Sequence, residues 1–376
     1  MILAISVFLI REGSSIFGKY KIETGYAVVV NRDNPVQTLT SAQLRSINTS
    51  EITSWEKLGW NQQEIEVFTL ENLEEKFTPE ELGEKMENAE AKIFEYVDGH
   101  PNVIAIFPKR YLDPRLTRLK LEKVTFVSML FQNNWYPNSN PFPDFGAGAI
   151  IYGSLYVSFL AMLLAVPIGL IVAIFLAEIA SKEVMQVYKF FIELLAGIPS
   201  VILGLFGLVF IVPAIKQAFD LDRGETILAG GIILAIISLP SLISLSEDAL
   251  RSVNKEVKAA SLALGASKFQ TIFRISLPMA KSGIYSAIIL SGGRAFGETM
   301  AVLMVTGNST LFSASPLESV RTITGTIASE LGESPVGSLH YESLFILGSV
   351  LFLITFFFNL IASAIMEVGH DKKVKG

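Results

Sequence analysis

The 376-residue chain is 51% hydrophobic with a mean hydropathy of +0.48, too apolar for a wholly soluble protein of this length. It contains no cysteine, which excludes disulfides, thiolate metal sites and thiol nucleophiles, and its net charge of -6 gives no support for nucleic-acid binding. The three histidines are scattered, so no metal or cofactor is expected, and without a G-x-x-x-x-G-K-[ST] loop the chain is not expected to hydrolyse ATP or act as an enzyme.

Met1 to Ile10 is apolar but about half as long as a bilayer span requires, and it lacks a basic n-region and a cleavage site. It reads as the short or truncated start of a first span, filling 1–17 and ending at Arg11-Glu12-Gly13. From Gly18 to Asp144 the pattern is that of a soluble α/β insert. Tyr26–Asn31 reads as a buried strand followed by the turn Asp33-Asn34-Pro35. Thr40–Ile47 reads as a helix, Glu64–Leu70 as a strand, Thr78–Met86 as a helix with a Thr78/Glu81 capping box, and Val103–Phe107 as a second strand. The acidic residues from Glu71 to Glu95 read as a solvated helix surface.

Within this insert, VVVNRDNPVQTLTSAQLRSINTSEITSWEKLG (Val28–Gly59) and, more loosely, PNVIAIFPKRYL (Pro101–Leu112) resemble part of a phosphate-binding protein of the type that feeds ABC importers. That family places a Ser/Gly/Thr-rich phosphate loop after the strand at Glu64–Leu70, where this chain reads ENLEEKFT (Glu71–Thr78). Three carboxylates there would repel a dianion, so the insert is expected to keep the lobe and to have lost the ligand.

After Phe145 the chain reads as membrane helices, with spans near Ala149–Ile179, Val187–Ile215, Ile227–Leu245, Met279–Thr306 and Tyr341–Met366, about six with the N-terminal one. Basic residues cluster at Lys182 and Lys189, from Arg251 through Lys255, Lys258, Lys268 and Arg274 to Lys281, and at Lys372, Lys373 and Lys375. The intervening loops are acidic. Positive-inside bias therefore puts the C-terminus and the stretch 251–278 in the cytoplasm and the insert outside, in a multi-pass plasma-membrane protein surrounded by lipid.

Lys258–Pro278, KAASLALGASKFQTIFRISLP, is the most patterned stretch. Ala259, Ala260 and Ser261 favour a helix, and Gly265 can end it in a left-handed turn. A second helix is expected to run to Ser276 with Phe269, Ile272 and Phe273 on one face, and Pro278 suits the first turn of the next. This helix–Gly–helix elbow resembles the EAA loop of ABC importer permeases, E-A-A-x3-G-x9-I-x-L-P, with Gly265, Ile275, Leu277 and Pro278 in register and Ala260 and Ser261 at its small positions. Ala259 stands where the pattern has Glu, and Glu256, one turn earlier, offers a replacement carboxylate. The resemblance implies docking on a cytoplasmic ATPase.

Further charges lie inside the expected spans. Arg294 and Glu298, in GGRAFGETM, are four apart and expected one above the other on one helical face. Residue chemistry leaves two readings, a self-neutralising lock and a guanidinium that receives an oxyanion with Glu298 holding it when empty. In ELLAGIPSV, Pro199 is expected to kink or unwind the helix beside Gly197 and Ser200, freeing N–H groups that an anion could use. Thr299, Ser154 and Ser158 are candidate pore hydroxyls, each able instead to bond its own backbone.

ELLAGIPSV, SEDAL and GRAFGETMAVLM together resemble the PstC type of phosphate ABC permease over roughly Arg11–Phe17 and Ile150–Met366. The insert between the first two spans is not typical of that family. The resemblance implies an α-helical type I importer permease fold over 145–368, the elbow at 251–278 and a basic tail at 369–376. It also implies a translocation path for inorganic phosphate, a second homologous permease, two ATP-binding subunits and an external binding protein. A permease for molybdate or sulfate and a membrane-anchored anion receptor are the competing readings. The absence of an output domain after the last span counts against the receptor.

Overall fold

The computed structural model describes residues 2–83 and 85–374, with backbone only at 2–3 and 367–374. Met1 of the expected first span and Lys375 and Gly376 of the expected tail lie outside the described residues, as do the side chains of Lys372 and Lys373. The chain forms two compact units, one of Ser14–Gly146 with Ser334–Ser343, the other of Met1–Gly13, Ala147–Glu333 and Leu344–Gly376. The segment Ser334–Ser343, read from sequence as part of the permease region, thus belongs to the α/β unit.

Helix α1 (Ile2–Ser14) has 13 residues, about 20 Å of helix against a hydrocarbon core of about 30 Å. The α/β unit then runs β1 (Tyr26–Val30), β2 (Thr38–Leu39), α2 (Ser41–Asn48), β3 (Glu66–Thr69), α3 (Leu73–Lys76), α4 (Pro79–Leu82) and α5 (Ala89–Gly99). It continues through β4 (Val103–Pro108), β5 (Thr117–Arg118), β6 (Lys120–Leu121), α6 (Phe126–Phe131), β7 (Trp135–Tyr136) and β8 (Asp144–Phe145). The main sheet has the order β3-β4-β1-β5, with β4 parallel to β3 and antiparallel to β1, Tyr26 facing Pro108 and Val30 facing Ile104.

The apolar runs of β1 and β4 arise because both faces of the sheet are covered. Val29, Ala105 and Phe107 pack with Phe68, Ile93 and Val97 on one side, while Val28, Val30, Ile104 and Ile106 pack with Leu44, Trp55 and Phe142 on the other. Capping boxes start α2 at Thr40 and α4 at Thr78 with Glu81. Gly83, at φ +80°, ends α4 four residues before the expected Met86. Lys21, 2% exposed, is neutralised by Asp144 at 3.0 Å and held by the Gln132 amide oxygen at 2.8 Å. Lys19 reaches both carboxylate oxygens of Glu342 at 2.6 Å, tying the late segment into the unit.

In the helical unit, α7 (Gly148–Ile174) continues through a π turn at Phe175–Ile179 and is followed by α8 (Lys182–Gly197). Next come α9 (Ser200–Phe206), which runs through the π turn Gly207–Ile211 into α10 (Val212–Phe219), and α11 (Ile227–Arg251). Helices α12 (Lys255–Ala263) and α13 (Lys268–Thr271) lead through the π turn Ile272–Ser276 to α14 (Leu277–Phe296). The unit ends with α15 (Met300–Val305), α16 (Ile323–Glu330) and the part of α17 (Leu339–Val374) from Leu344 onward.

Among the described residues four helices are long and apolar enough to cross a membrane, Gly148–Ile179, Ser200–Phe219, Ile227–Arg251 and Leu339–Met366. The expected span Val187–Ile215 is instead two helices, because Ile198 and Pro199 are extended, and the crossing-length part starts only at Ser200. The expected span Met279–Thr306 likewise stops at Phe296 and resumes at Met300.

Helix α11 is the hub. It lies along α7 with small residues between them, Ala161, Ala165, Ala229 and Ala235 all buried, as apolar helices need for close approach. At Gly153 a Cβ would come within 2.5 Å of the Arg321 carbonyl and 2.3 Å of Val320 Cγ2.

Gly153→Val is therefore expected to destabilise the chain by about 1–3 kcal/mol through overpacking, read as a lowered unfolding temperature of the detergent-solubilised protein. A pH effect is expected at Glu66. Partial burial pushes its carboxyl up, but hydrogen bonds from Lys76 and Tyr96 outweigh this and hold it below the ordinary glutamate value. Its stabilisation is therefore full above the unfolded value of about 4.3 and lost as pH falls through the lower folded one. Denaturant melts of the full chain should show Glu66→Gln less stable than the parent at pH 7, with the difference shrinking as pH falls below the ordinary glutamate range.

Candidate transport path and coupling elbow

Arg294 sits in the last turn of α14, where Gly297 caps the helix by donating its N–H to the Gly293 and Arg294 carbonyls at 3.2 Å each. The two flanking glycines keep the turn thin, Gly293 lying against Phe358 and Gly292 against Met162. The Arg294 side chain is exposed within the helical unit and has no hydrogen-bond or ion-pair partner among the described residues.

The expected Arg294–Glu298 pair is not found among the described residues. The helix ends between them, so Glu298 is no longer four residues up on one face. Its carboxylate instead accepts the Thr299 N–H at 3.0 Å, and its carbonyl accepts Thr324 Oγ1 at 2.7 Å. Thr299 Oγ1 donates to the Gly297 carbonyl at 3.4 Å, so this hydroxyl bonds local backbone, as does Ser154, which donates to Ile150 at 3.1 Å. Ser291, one turn below Arg294, is buried and meets Ser241 of α11 at 3.3 Å.

The break expected at Pro199 is present. Ile198 and Pro199 have ψ near 126° and 136°, and the first helical bonds of α9 are those from Ile202 and Leu203 to the Pro199 carbonyl. Ser200 is half-buried. Gly197 is exposed with open space where a Cβ would point.

The elbow forms as its sequence dictates. The Asn254 side chain caps α12 through the Glu256 N–H at 2.8 Å, Gly265 turns the chain at φ +86°, and a Ser267/Gln270 capping box starts α13. Ser261 and Thr271 join the two arms at 3.0 Å. The arms present Ala259, Ala260, Val257, Leu262, Leu264, Phe269 and Phe273 outward, with Leu264 90% exposed. Ile272, the first residue of the π turn, is buried and so off the exposed Phe269/Phe273 face. Helix continues from that turn through Leu277 and Pro278, with Ile275 half-buried.

Beside the elbow lies a cluster of charges that the sequence reading did not assemble. Glu247, fully buried in α11, takes Arg251 Nε at 2.6 Å and lies 3.1 Å from Lys189 Nζ of α8. Arg251 also donates to the Leu176 carbonyl at 3.1 Å, and Lys258 of α12 pairs with Glu178 at 2.7 Å. The Glu247/Arg251 spacing was a readable signal for one of these contacts. The others join residues far apart in the chain.

Three comparisons bear on this arrangement. The family described as binding-protein-dependent transport system inner membrane component matches residues 165–371. The probable ABC transporter permease protein YqgH of Bacillus subtilis is 38% identical over 238 residues, 63% of this chain and 77% of that protein. The phosphate transport system permease protein PstC of Mesorhizobium japonicum is 35% identical over 254 residues, 62% of this chain and 76% of that one. A phosphate ABC transporter substrate-binding protein from Clostridium perfringens, solved with bound phosphate, aligns with 28% of this chain and 49% of its own at 27% identity and a TM-score of 0.21. The matched family, the two permease relatives and the helical unit together make this chain a member of the binding-protein-dependent transport system inner membrane component family.

Proposed function

We propose that this chain is the PstC-type permease subunit of an ATP-driven phosphate importer, a membrane component that leaves ATP hydrolysis to a separate subunit. The observation that carries the proposal is the guanidinium of Arg294, unpartnered among the described residues, at a Gly-flanked helix end beside the break at Gly297–Thr299. A guanidinium offers a planar set of donors matched to an oxyanion, and irregular backbone at membrane depth is tolerated where it lines a cavity. In this reading Arg294, Glu298, Thr299, Gly197 and Ser200 border the path, and the PstC relatives favour phosphate over molybdate or sulfate.

The chain crosses about six times, short α1 and the interrupted helices included, with elbow and C-terminus cytoplasmic and the α/β unit outside. It works with a second permease, two ATPase subunits and an external phosphate-binding protein. The elbow is the ATPase contact, and its bare apolar tip supports this. The α/β unit does not hold phosphate tightly. Where the binding-protein family needs free donors, Asn72 is bonded to Thr69 N–H and the Val67 carbonyl, and Lys76 is engaged by Glu66 and Tyr96.

Two variants test this in the complex purified with its partners and reconstituted in vesicles. Arg294→Ala should cut labelled phosphate uptake by about 10- to 100-fold, the worth of one charge-assisted contact, while thermal stability changes little because the side chain pairs with no described group. Uptake at the parental rate, or a complex that prefers sulfate or molybdate as competitor, would overturn the path or its substrate. Gly265→Pro cannot adopt the positive φ and should leave ATP hydrolysis running with uptake lost. Parental uptake in that variant would make the elbow a mere connector.

A further inference from the structure

We propose that the Glu178–Lys258 ion pair is the strut through which the elbow moves the α7 and α11 side of the transport path. The proposal rests on the reading of the elbow as the ATPase contact.

Helix α12 has no buried residue, so apolar packing does little to fix it. Among the described residues its side chains reach beyond its own ends through two residues, Ser261, which meets Thr271, and Lys258, which meets Glu178 and the Leu250 carbonyl. The first joins elbow arm to elbow arm. The second reaches 80 positions back, to the end of α7. Both groups are largely shielded, with side-chain exposures of 18% and 10%, so water screens the pair less than a surface bridge.

Lys258 Nζ also donates to the Leu250 carbonyl at 3.2 Å, at the end of α11, so a single ammonium contacts α7 and α11 together. Arg251 doubles the junction, with Glu247 on α11 and the Leu176 carbonyl on α7. The π turn at Phe175–Ile179 matters here. An extra residue in a turn rotates the rest of the helix by about 100°, which sets the direction in which Glu178 points.

The elbow thus has two outputs. One is covalent, since α13, the adjoining π turn and α14 form continuous helix to Phe296 and carry Arg294. The other is the strut to α7 and α11. With the strut cut, α12 is free to swivel between Asn254 and Gly265, and only the α14 side moves with the ATPase. Glu178 and Lys258 are positioning residues, touching neither anion nor nucleotide.

The test measures phosphate transported per ATP hydrolysed by the reconstituted complex. Glu178→Gln and Lys258→Met should each lower that ratio by about tenfold, within the usual range of coupling energies, with basal ATP hydrolysis and assembly retained. Lys258→Arg, which keeps charge and donors, should restore most of it, and the exchange Glu178→Lys with Lys258→Glu should recover part. A parental ratio in both single variants would overturn the strut, as would a loss that tracks only the amount of assembled complex. Gly265→Pro, run alongside, separates the two proposals. If it uncouples while Glu178→Gln does not, the strut alone is wrong. If neither uncouples, the elbow reading fails first.

Discussion

Glu247 is a carboxylate with no solvent exposure in the middle of a helix bundle, and taking such a group out of water costs several kcal/mol unless it is paired. Its partners come from its own helix and from α8, and one of them, Arg251, also holds a carbonyl of α7. The need to keep this charge paired therefore ties the ends of α7 and α11 to the middle of α8. Removing Arg251 would leave a buried charge without its closest partner, a heavier loss than an exposed pair would cause. The small-residue seam between α7 and α11 sets how close these helices lie, and the charge cluster sets their register.

Two interruptions define the remainder of the helical unit. At Ile198–Pro199 the proline lacks a donor, and at Gly297–Thr299 backbone bonds give way to side chains, with Thr324 on the Glu298 carbonyl and the Glu298 carboxylate on the Thr299 amide. A continuous helix would have stacked Glu298 over Arg294 and neutralised it. Ending the helix two residues after Arg294 uses the acid locally and leaves the guanidinium unpaired among the described residues. The break and the unpaired cation are thus one feature seen from two sides.

Local chemistry made much of this legible in the sequence. The strands read at Tyr26–Asn31 and Val103–Phe107, the cap at Thr78, the turn at Gly265 and the break at Pro199 each rest on a few adjacent residues, and each has its counterpart in the structure. What failed was continuity and long-range pairing. The apolar run from Val187 to Ile215 reads as one span with a kink or unwound turn at Pro199, whereas the crossing-length helix only starts after that proline, and spacing alone could not reveal that helix α14 stops between Arg294 and Glu298. Glu178 and Lys258, 80 positions apart, meet only because a π turn and a helix end coincide in space. Ser334–Ser343, read as the approach to and start of the last span, gave no hint of membership in the α/β unit.

That last segment bears on how the molecule is made. The α/β unit needs residues that leave the ribosome roughly 190 positions after Gly146. At about 5–20 residues per second, some 10–40 s separate the first part of the unit from its completion. During that interval Lys19 is without Glu342, and the helices from α7 to α16 are synthesised while the unit is still unfinished. A truncated chain ending before Ser334 would carry this open lobe permanently, and proteolysis would find it there first.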